Sequence, residues 1–230
     1  MNKISIIIPI LNEADTIGDL LHHISANSSI KNIAEIIVVD GGSTDGSKEI
    51  VFGFETIKLL DSKKGRAKQM NIGAKSATGS IFYFLHADAF PPKYFDQLII
   101  NEVKNENLAG CFRMQFDHNH WWLRLASWLT QFPWRACRGG DQSQFITKKL
   151  FDEIDGYDED YIIYEDNILI NELYARNLFV VIQKKIKTSA RCYKRNGIWK
   201  LQYHFWTIYV KRWFGASALE IYNYYKKHII

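Results

Sequence analysis

Several groups of residues in this chain combine types and spacings that could do chemistry. Asp40 follows the apolar run Glu35–Val39 and opens the loop Asp40-Gly41-Gly42-Ser43-Thr44-Asp45-Gly46. A carboxylate there can accept hydrogen bonds from an imide or a ribose hydroxyl, or it can simply fold the turn. Arg66 follows Lys63-Lys64-Gly65 and opens a helix, where a guanidinium beside free backbone amides suits an anionic phosphate. Its alternative is a solvated basic face. Glu165 and Asp166 open a later helix. A carboxylate within reach of an alcohol can take its proton during attack, and acids are also favoured at a helix start by the dipole. His86 and Asp88, two residues apart, end another apolar run, and Asp141-Gln142 follow two glycines that allow close backbone approach or a plain turn.

Such residues need a frame that brings them together. Ile4–Ile8 is a continuous β-branched run, the pattern of a strand buried on both faces. Ile17, Leu20, Leu21 and Ile24 mark an amphipathic helix, and Glu35–Val39 is a second buried strand. The spacing then predicts a helix over Ser47–Phe54, a strand over Thr56–Leu60, a helix over Arg66–Ala77 and a strand over Ile81–Leu85. Alternation of this kind implies a mostly parallel sheet covered by helices, with ligands at the carboxyl ends of the strands. Asn12-Glu13, Asp40–Asp45, Ser62–Arg66 and His86–Asp88 are therefore expected to line one crevice. Beyond Pro91-Pro92 the pattern loosens into a helix (Tyr94–Lys104), a strand (Ala109–Phe116), an aromatic helix around Trp121–Phe132 and a helix near Lys148–Ile154. Ile198–Tyr225 reads as one or two amphipathic helices broken near Gly215.

The segments Ser5–Glu13 (SIIIPILNE), Val38–Gly46 (VVDGGSTDG), Gly65–Ala74 (GRAKQMNIGA), Leu85–Asp88 (LHAD), Gly139–Phe145 (GGDQSQF), Asp155–Glu159 (DGYDE) and Tyr164–Asn167 (YEDN) occur in an order that resembles family 2 glycosyltransferases, closest to a compact bacterial branch with LHAD and GDQ motifs. The resemblance covers nearly the whole chain. It implies the GT-A fold: an α/β, Rossmann-like, mostly parallel central sheet flanked by helices. Residues 1–190 would form that domain, with 1–90 the nucleotide-binding half and 91–190 the acceptor half. Residues 191–230 would form a basic, aromatic, helical C-terminal extension. It also implies an inverting transfer of a sugar from a nucleotide-diphosphate sugar, a UDP-sugar foremost, to a hydroxyl of a lipid-like or small acceptor.

Roles follow from the same resemblance. Pro9, Glu13 and Asp40 would sit at the nucleoside, and Asp88 would hold Mg²⁺ or Mn²⁺ across the diphosphate. The family's Asp-X-Asp run has His86 in place of its first aspartate; His86 is either a ligand or a packed, hydrogen-bonded imidazole. Asp166 would deprotonate the acceptor, with Glu165 as the substitute. Asp141 and Gln142 would face the sugar or acceptor. Arg191, in Arg-Cys-Tyr-Lys-Arg, stands where relatives carry a basic-aromatic motif facing the diphosphate, with Cys192-Tyr193 in place of Arg-Trp.

Composition sharpens this. The formal net charge is only +4 over 230 residues, yet residues 183–230 carry eleven Lys and Arg against one acid, Glu220. The same segment holds eleven aromatics. Trp199, Tyr203, Trp206, Tyr209, Val210 and Trp213 form a stripe at helical spacing that suits core packing, peripheral contact with an anionic membrane face, or both. Apolar content of 47% excludes disorder. Three scattered cysteines, no leader-like start and no long apolar stretch lead us to expect a cytoplasmic protein, placed at the inner membrane face if it is peripheral. Two other readings are a catalytically silent nucleotide-sugar binder, raised by His86, and a nucleic-acid binder using the basic tail. The latter leaves the strand-end acids unexplained, so no nucleic acid is expected.

Overall fold

The computed structural model describes residues 2–229, so the outer ends of the expected spans, Met1 and Ile230, lie outside the described residues. The first half alternates strand and helix: β1 (Ile4–Ile10), α1 (Ala14–Asn27), β2 (Ile33–Asp40), α2 (Ser47–Phe52), β3 (Ile57–Asp61), α3 (Arg66–Ser76) and β4 (Ile81–Phe84). The second half follows with β5 (Ala89–Phe90), α4 (Phe95–Lys104), β6 (Ala109–Phe116), α5 (Trp121–Leu129), β7 (Gln144–Thr147), α6 (Lys148–Glu153), α7 (Glu165–Ala175) and β8 (Phe179–Thr188). Three helices end the chain: α8 (Arg191–Asn196), α9 (Ile198–Trp213) and α10 (Ala218–His228).

All eight strands join one sheet in the order β3-β2-β1-β4-β7-β6-β8-β5. The pairs β1/β2, β2/β3, β1/β4 and β6/β8 are parallel, whereas β7 runs antiparallel to both β4 and β6, and β5 to β8. The expected mostly parallel α/β sheet is present. β1 is buried at every position because helices cover both faces. Ile4, Ile6 and Ile8 face a core shared with Ile17, Leu20, Leu21, Tyr83 and Phe95, while Ile7 faces Ile37, Met70, Phe82 and Phe84.

The clearest omission of the sequence reading is β8. Its run Gln183-Lys184-Lys185 interrupts the apolar alternation that marks a strand. The register explains the interruption: Phe112 pairs with Ile182 but Arg113 with Lys185, so β8 bulges by two residues there. The tail splits where expected, at Gly215 with φ +89°, and Ser217 and Glu220 form a capping box that starts α10. It is not a free appendage. Leu201, Ile208, Ile221 and Ile229 pack with Tyr161, Ile163 and Tyr164, the segment that leads into α7. Among the described residues no helix is long and apolar enough to cross a membrane.

Close packing of α3 on β1 and β2 depends on Gly73, where an added Cβ would collide with Ile7 and lie 3.2 Å from Val39. Gly73→Ala is expected to lower stability by about 1–3 kcal/mol, the usual cost of overpacking a core. A denaturant-unfolding midpoint equal to that of the parent would contradict this packing.

Candidate active site

At the carboxyl ends of β1 and β4 the chain opens into a crevice of about 1940 Å³. Pro9 and Glu13 reach it from the end of β1 and the start of α1, Arg66 from the first turn of α3, and His86 and Asp88 from the loop after β4. Asp141 and Gln142 enter from a single 3₁₀ turn, Glu165 and Asp166 from the first turn of α7, and Arg191 from the start of α8. Three of the four strand-end clusters thus converge. So do residues on both sides of the expected 190/191 boundary, since Tyr209 and Tyr225 of α9 and α10 also line the crevice.

Asp40 stands apart. It is 1% exposed and does not line the crevice. Its carboxylate accepts hydrogen bonds from the backbone N–H of Gly42 (2.9 Å) and Ser43 (3.1 and 3.0 Å), so the turn-forming alternative is realised. The loop it opens packs on the β1–α1 loop instead of facing the crevice. Asn12 N donates to Ser43 Oγ at 2.9 Å, Glu13 N to Ser47 Oγ at 2.8 Å and Ala14 N to Asp45 Oδ2 at 3.0 Å. These bonds supply the free amides that open α1 with acceptors from a neighbouring loop. Gln142 lines the crevice, and its side-chain amide is taken up by neighbouring protein groups. Its side chain turns inward, donating to Cys137 O at 2.6 Å and accepting from Arg138 Nη1 at 2.6 Å, and so pins the turn that presents Asp141.

The charged groups that do converge are mostly acids. Arg191 holds two of them together: Nη1 donates to Glu13 Oε2 at 2.6 Å, Nη2 to Glu13 Oε1 at 2.5 Å, and Nε lies 3.2 Å from Asp88 Oδ2. Burial pushes Asp88 up to about 6, Arg191 pulls it back, and the nearby Asp141 and Glu13 carboxylates add to the rise. On the other side, Arg66 Nη1 is 3.5 Å from Glu165 Oε1, while Glu165 Oε2 is buried with no partner among the described residues. Burial raises both Glu165 and Asp166; each acid is drawn down by Arg66, and Asp166 is raised further by the Glu165 charge.

His86 lies between these acids, with Nδ1 4.0 Å from Asp141 Oδ1 and Nε2 3.9 Å from Asp166 Oδ2. It is neutral. Burial, with the positive charges of Arg66 and Arg191, lowers its pKa to about 3, so these contacts are not ion pairs. The close approach needs Gly140, where any Cβ would collide with the Asp166 carboxylate and lie 2.9 Å from His86 Cε1. Among the described residues no group of three or more His, Cys, Asp or Glu is placed to hold a metal ion by itself. Asp88 already holds a positive group, and Asp141 stands near enough for its charge to raise Asp88. Mg²⁺ commonly uses one or two carboxylates and completes its shell with phosphate oxygens and water.

Some supporting residues escaped the sequence reading. Gln69, 3% exposed on α3, donates to Ile10 O at 2.8 Å and Val39 O at 2.7 Å, tying the ends of β1 and β2 together. A glutamine on the apolar face of a helix was the available signal. Arg135 donates to Asn167 Oδ1 at 3.1 Å and also bonds Asn171, which braces the first turns of α7. No periodicity marks a contact of that kind.

The neutral state of His86 is directly measurable. Its imidazole resonances are expected to stay flat from pH 8 to pH 5, with a midpoint close to about 3. A titration midpoint near that of a free imidazole, about 6.5, would contradict the burial and charge environment described.

Comparison with known proteins gives the family and the fold. Residues 5–158 match the family described as Glycosyl transferase family 2. The glycosyltransferase AglE of Haloferax volcanii is 36% identical over 94 residues, 38% of this chain and 31% of that protein. An undecaprenyl-phosphate 4-deoxy-4-formamido-L-arabinose transferase of Proteus mirabilis is 26% identical over 136 residues, 55% of this chain and 41% of that protein. The chain thus spans only about a third to two fifths of these curated relatives. Among solved structures, S. aureus TarS residues 1–349 in complex with UDP superposes with a TM-score of 0.67 at 18% identity, covering 82% of this chain and 60% of that one; the likeness is one of fold. With a GT-A-like sheet and a family match over most of its length, the chain belongs to glycosyl transferase family 2.

Proposed function

We propose that this protein transfers a sugar, with inversion, from a nucleotide-diphosphate sugar to a hydroxyl of a lipid-like or small acceptor. The observation that carries the proposal is the convergence of Asp88, Asp166, Arg66 and Arg191 around the neutral His86 in one crevice. A UDP-sugar is the donor we favour, in line with TarS structures that hold UDP and UDP-GlcNAc. A lipid-like acceptor is in line with relatives named for transfer to undecaprenyl phosphate and to a dolichyl-linked sugar phosphate. Residues 1–90 would serve the nucleotide and 91–190 the acceptor, with 191–230 as the wall that closes over both.

In this reading Glu13 and Pro9 border the nucleoside, and Asp40 shapes the loop behind them. Arg66 and Arg191 meet the diphosphate. Asp88, with His86 or Asp141 beside it, would hold Mg²⁺ or Mn²⁺, which when bound supplies charge neutralisation of the departing diphosphate. Asp166 accepts the proton of the acceptor hydroxyl as its oxygen forms a bond to the anomeric carbon and the bond to the diphosphate oxygen breaks. Attack opposite the leaving group inverts that carbon, and the centre passes through an oxocarbenium-like state. Burial and the Glu165 charge make Asp166 a stronger base than a free aspartate. The acid limb of the rate profile therefore lies above the ordinary carboxylate range, and transfer falls as the solution is acidified through it.

The outer side suits a membrane face. Trp121, Trp128, Trp199, Tyr203, Trp213 and Phe214 are exposed, with Arg124, Lys200 and Lys211 on the same helices. Aromatic and basic residues together favour the surface of an anionic bilayer. Three unpaired cysteines suit the reducing, cytoplasmic side.

Asp166→Asn is expected to retain UDP binding and to lose transfer by about 10²–10⁴-fold, the usual contribution of a general base. Asp88→Ala is expected to weaken UDP binding only when Mn²⁺ or Mg²⁺ is present. Full activity of the first variant, or identical UDP affinity of the second with and without a chelator, would defeat these roles.

A further inference from the structure

The turn Asp155–Glu159 stands out in the sequence, yet it lines no part of the crevice. Asn71 of α3 grips it instead. Asn71 Nδ2 donates to Tyr157 O at 2.8 Å and to Glu159 Oε1 at 3.0 Å, and Tyr157 N donates to Asn71 Oδ1 at 3.0 Å. Gly156, at φ +71°, permits this contact, since an added Cβ would lie 2.9 Å from Asn71 Oδ1 and 3.0 Å from the Phe151 ring. The Tyr157 ring is buried, edge-on to Phe84 at 5.0 Å and to Phe151 at 5.8 Å between centroids. Leu169 and Leu173, on the helix that Glu165 opens, pack in the same core. Gln144 of β7 lies opposite Phe84 in the register, and Ile146, two residues on and so on the same face, packs with Phe82 and Phe84. Around this core, Tyr157 Oη, Glu165 Oε2 and both amide atoms of Gln144 are buried with no hydrogen-bond partner among the described residues. Leaving such atoms unpaired is costly. Their chemistry is complementary. Burial and the Asp166 and Glu165 charges hold the Tyr157 phenol well above its ordinary pKa, so it stays protonated and donates. A glutamine amide donates and accepts, and a carboxylate oxygen accepts.

We propose that Tyr157 and Gln144 are positioning residues for the base, joined to Glu165 Oε2 in one buried hydrogen-bonded set that internal water completes. The inference rests on the reading of Asp166 as the base, and it gives the Asp155–Glu159 turn a task in the same reaction. Glu165 and Asp166 are adjacent in the first turn of α7, so a Glu165 free to turn would carry its charge toward or away from the base. Arg66 is a loose holder. Its Nη1 stands 3.5 Å from Glu165 Oε1, and in this reading it also meets the diphosphate. Glu165 therefore needs a hold that persists when the donor arrives. A set anchored on Asn71 through the Tyr157 backbone supplies it from the core side. Neither Tyr157 nor Gln144 lines the crevice, so both act through Glu165 and touch no substrate. Internal waters commonly join about three otherwise unpaired polar groups, which suits this set.

The test has a structural and a kinetic arm, both on the full chain. In high-resolution crystals of the parent protein, Tyr157 Oη, the Gln144 amide and Glu165 Oε2 are expected in one hydrogen-bonded chain, direct or through ordered water. Glu165 Oε2 bonded to any other group, or to none, would overturn the proposal. The kinetic arm reads UDP release from UDP-glucose, UDP-galactose or UDP-GlcNAc with Mn²⁺. Tyr157→Phe keeps the ring and removes only the hydroxyl. It is expected to lower kcat roughly ten- to a hundredfold, the scale of loss when a reacting group is misplaced, with the KM for the UDP-sugar and the thermal midpoint close to those of the parent. In a Glu165→Gln background the same change is expected to cost about twofold at most, because its path through Glu165 is already broken. Should Tyr157→Phe not fold, Gln144→Met takes its place in both measurements. A kcat equal to that of the parent, a loss carried by KM alone, or the full loss persisting in the Glu165→Gln background would overturn the proposal. Failure of the parent to release UDP from any of these sugars would instead strike the transferase reading, and the crystal arm would then decide the hydrogen-bonded set by itself.

Discussion

Everything at this site depends on keeping carboxylates together in a partly dehydrated crevice. Glu13, Asp88, Asp141, Glu165 and Asp166 converge there, and neighbouring carboxylates add to the rise that burial causes at Asp88, Asp141 and Asp166. Two arginines make the arrangement tenable. Arg191 bonds Glu13 and Asp88, Arg66 faces Glu165 and Asp166, and the imidazole between the two groups adds no charge. A further acid in place of His86 would add to the repulsion, so a histidine at this position has an electrostatic consequence whether or not the ring ligates a metal.

That balance also explains why the C-terminal helices belong to the site. Arg191 opens α8, and α9 and α10 follow as the roof, packed on Tyr161, Ile163 and Tyr164 just before the acids of α7. The division of charge between an acidic body and a basic tail is therefore more than a surface property. One cation of the tail completes the acidic body's own centre, and aromatic residues after it line the same crevice. Backbone economy matters as much. Gly140 lets the 3₁₀ turn pass directly over Asp166, and Gln69 fastens the ends of β1 and β2 so that their loops hold position.

Much of this was legible in the residues. The β-branched runs of β1 and β2, the helix that Arg66 opens and the acids that start α7 are local patterns, and local patterns survive folding. For Asp40 and Gln142 the residues left two readings open, a ligand contact and a turn, and did not choose between them. In both, a polar side chain at a strand end or turn is taken up by nearby protein groups: backbone amides for Asp40, Arg138 and the Cys137 carbonyl for Gln142. Spacing does not distinguish a side chain aimed at a ligand from one aimed at its own loop. β8 was hidden because a bulge breaks its alternation, and the pairing of Glu13 with Arg191 joins residues 178 apart in the chain. Charge balance is a property of the assembled fold, so the sequence displays its components but not their pairing.

The most direct test of the charge-balanced centre is anomalous diffraction from crystals grown with UDP and MnCl₂. A manganese peak is expected beside the Asp88 carboxylate, with UDP between Glu13 and Arg66 and the Arg191 guanidinium turned from Asp88 toward the diphosphate. Manganese far from Asp88, or UDP bound outside the crevice with the Arg191 clasp intact, would contradict it.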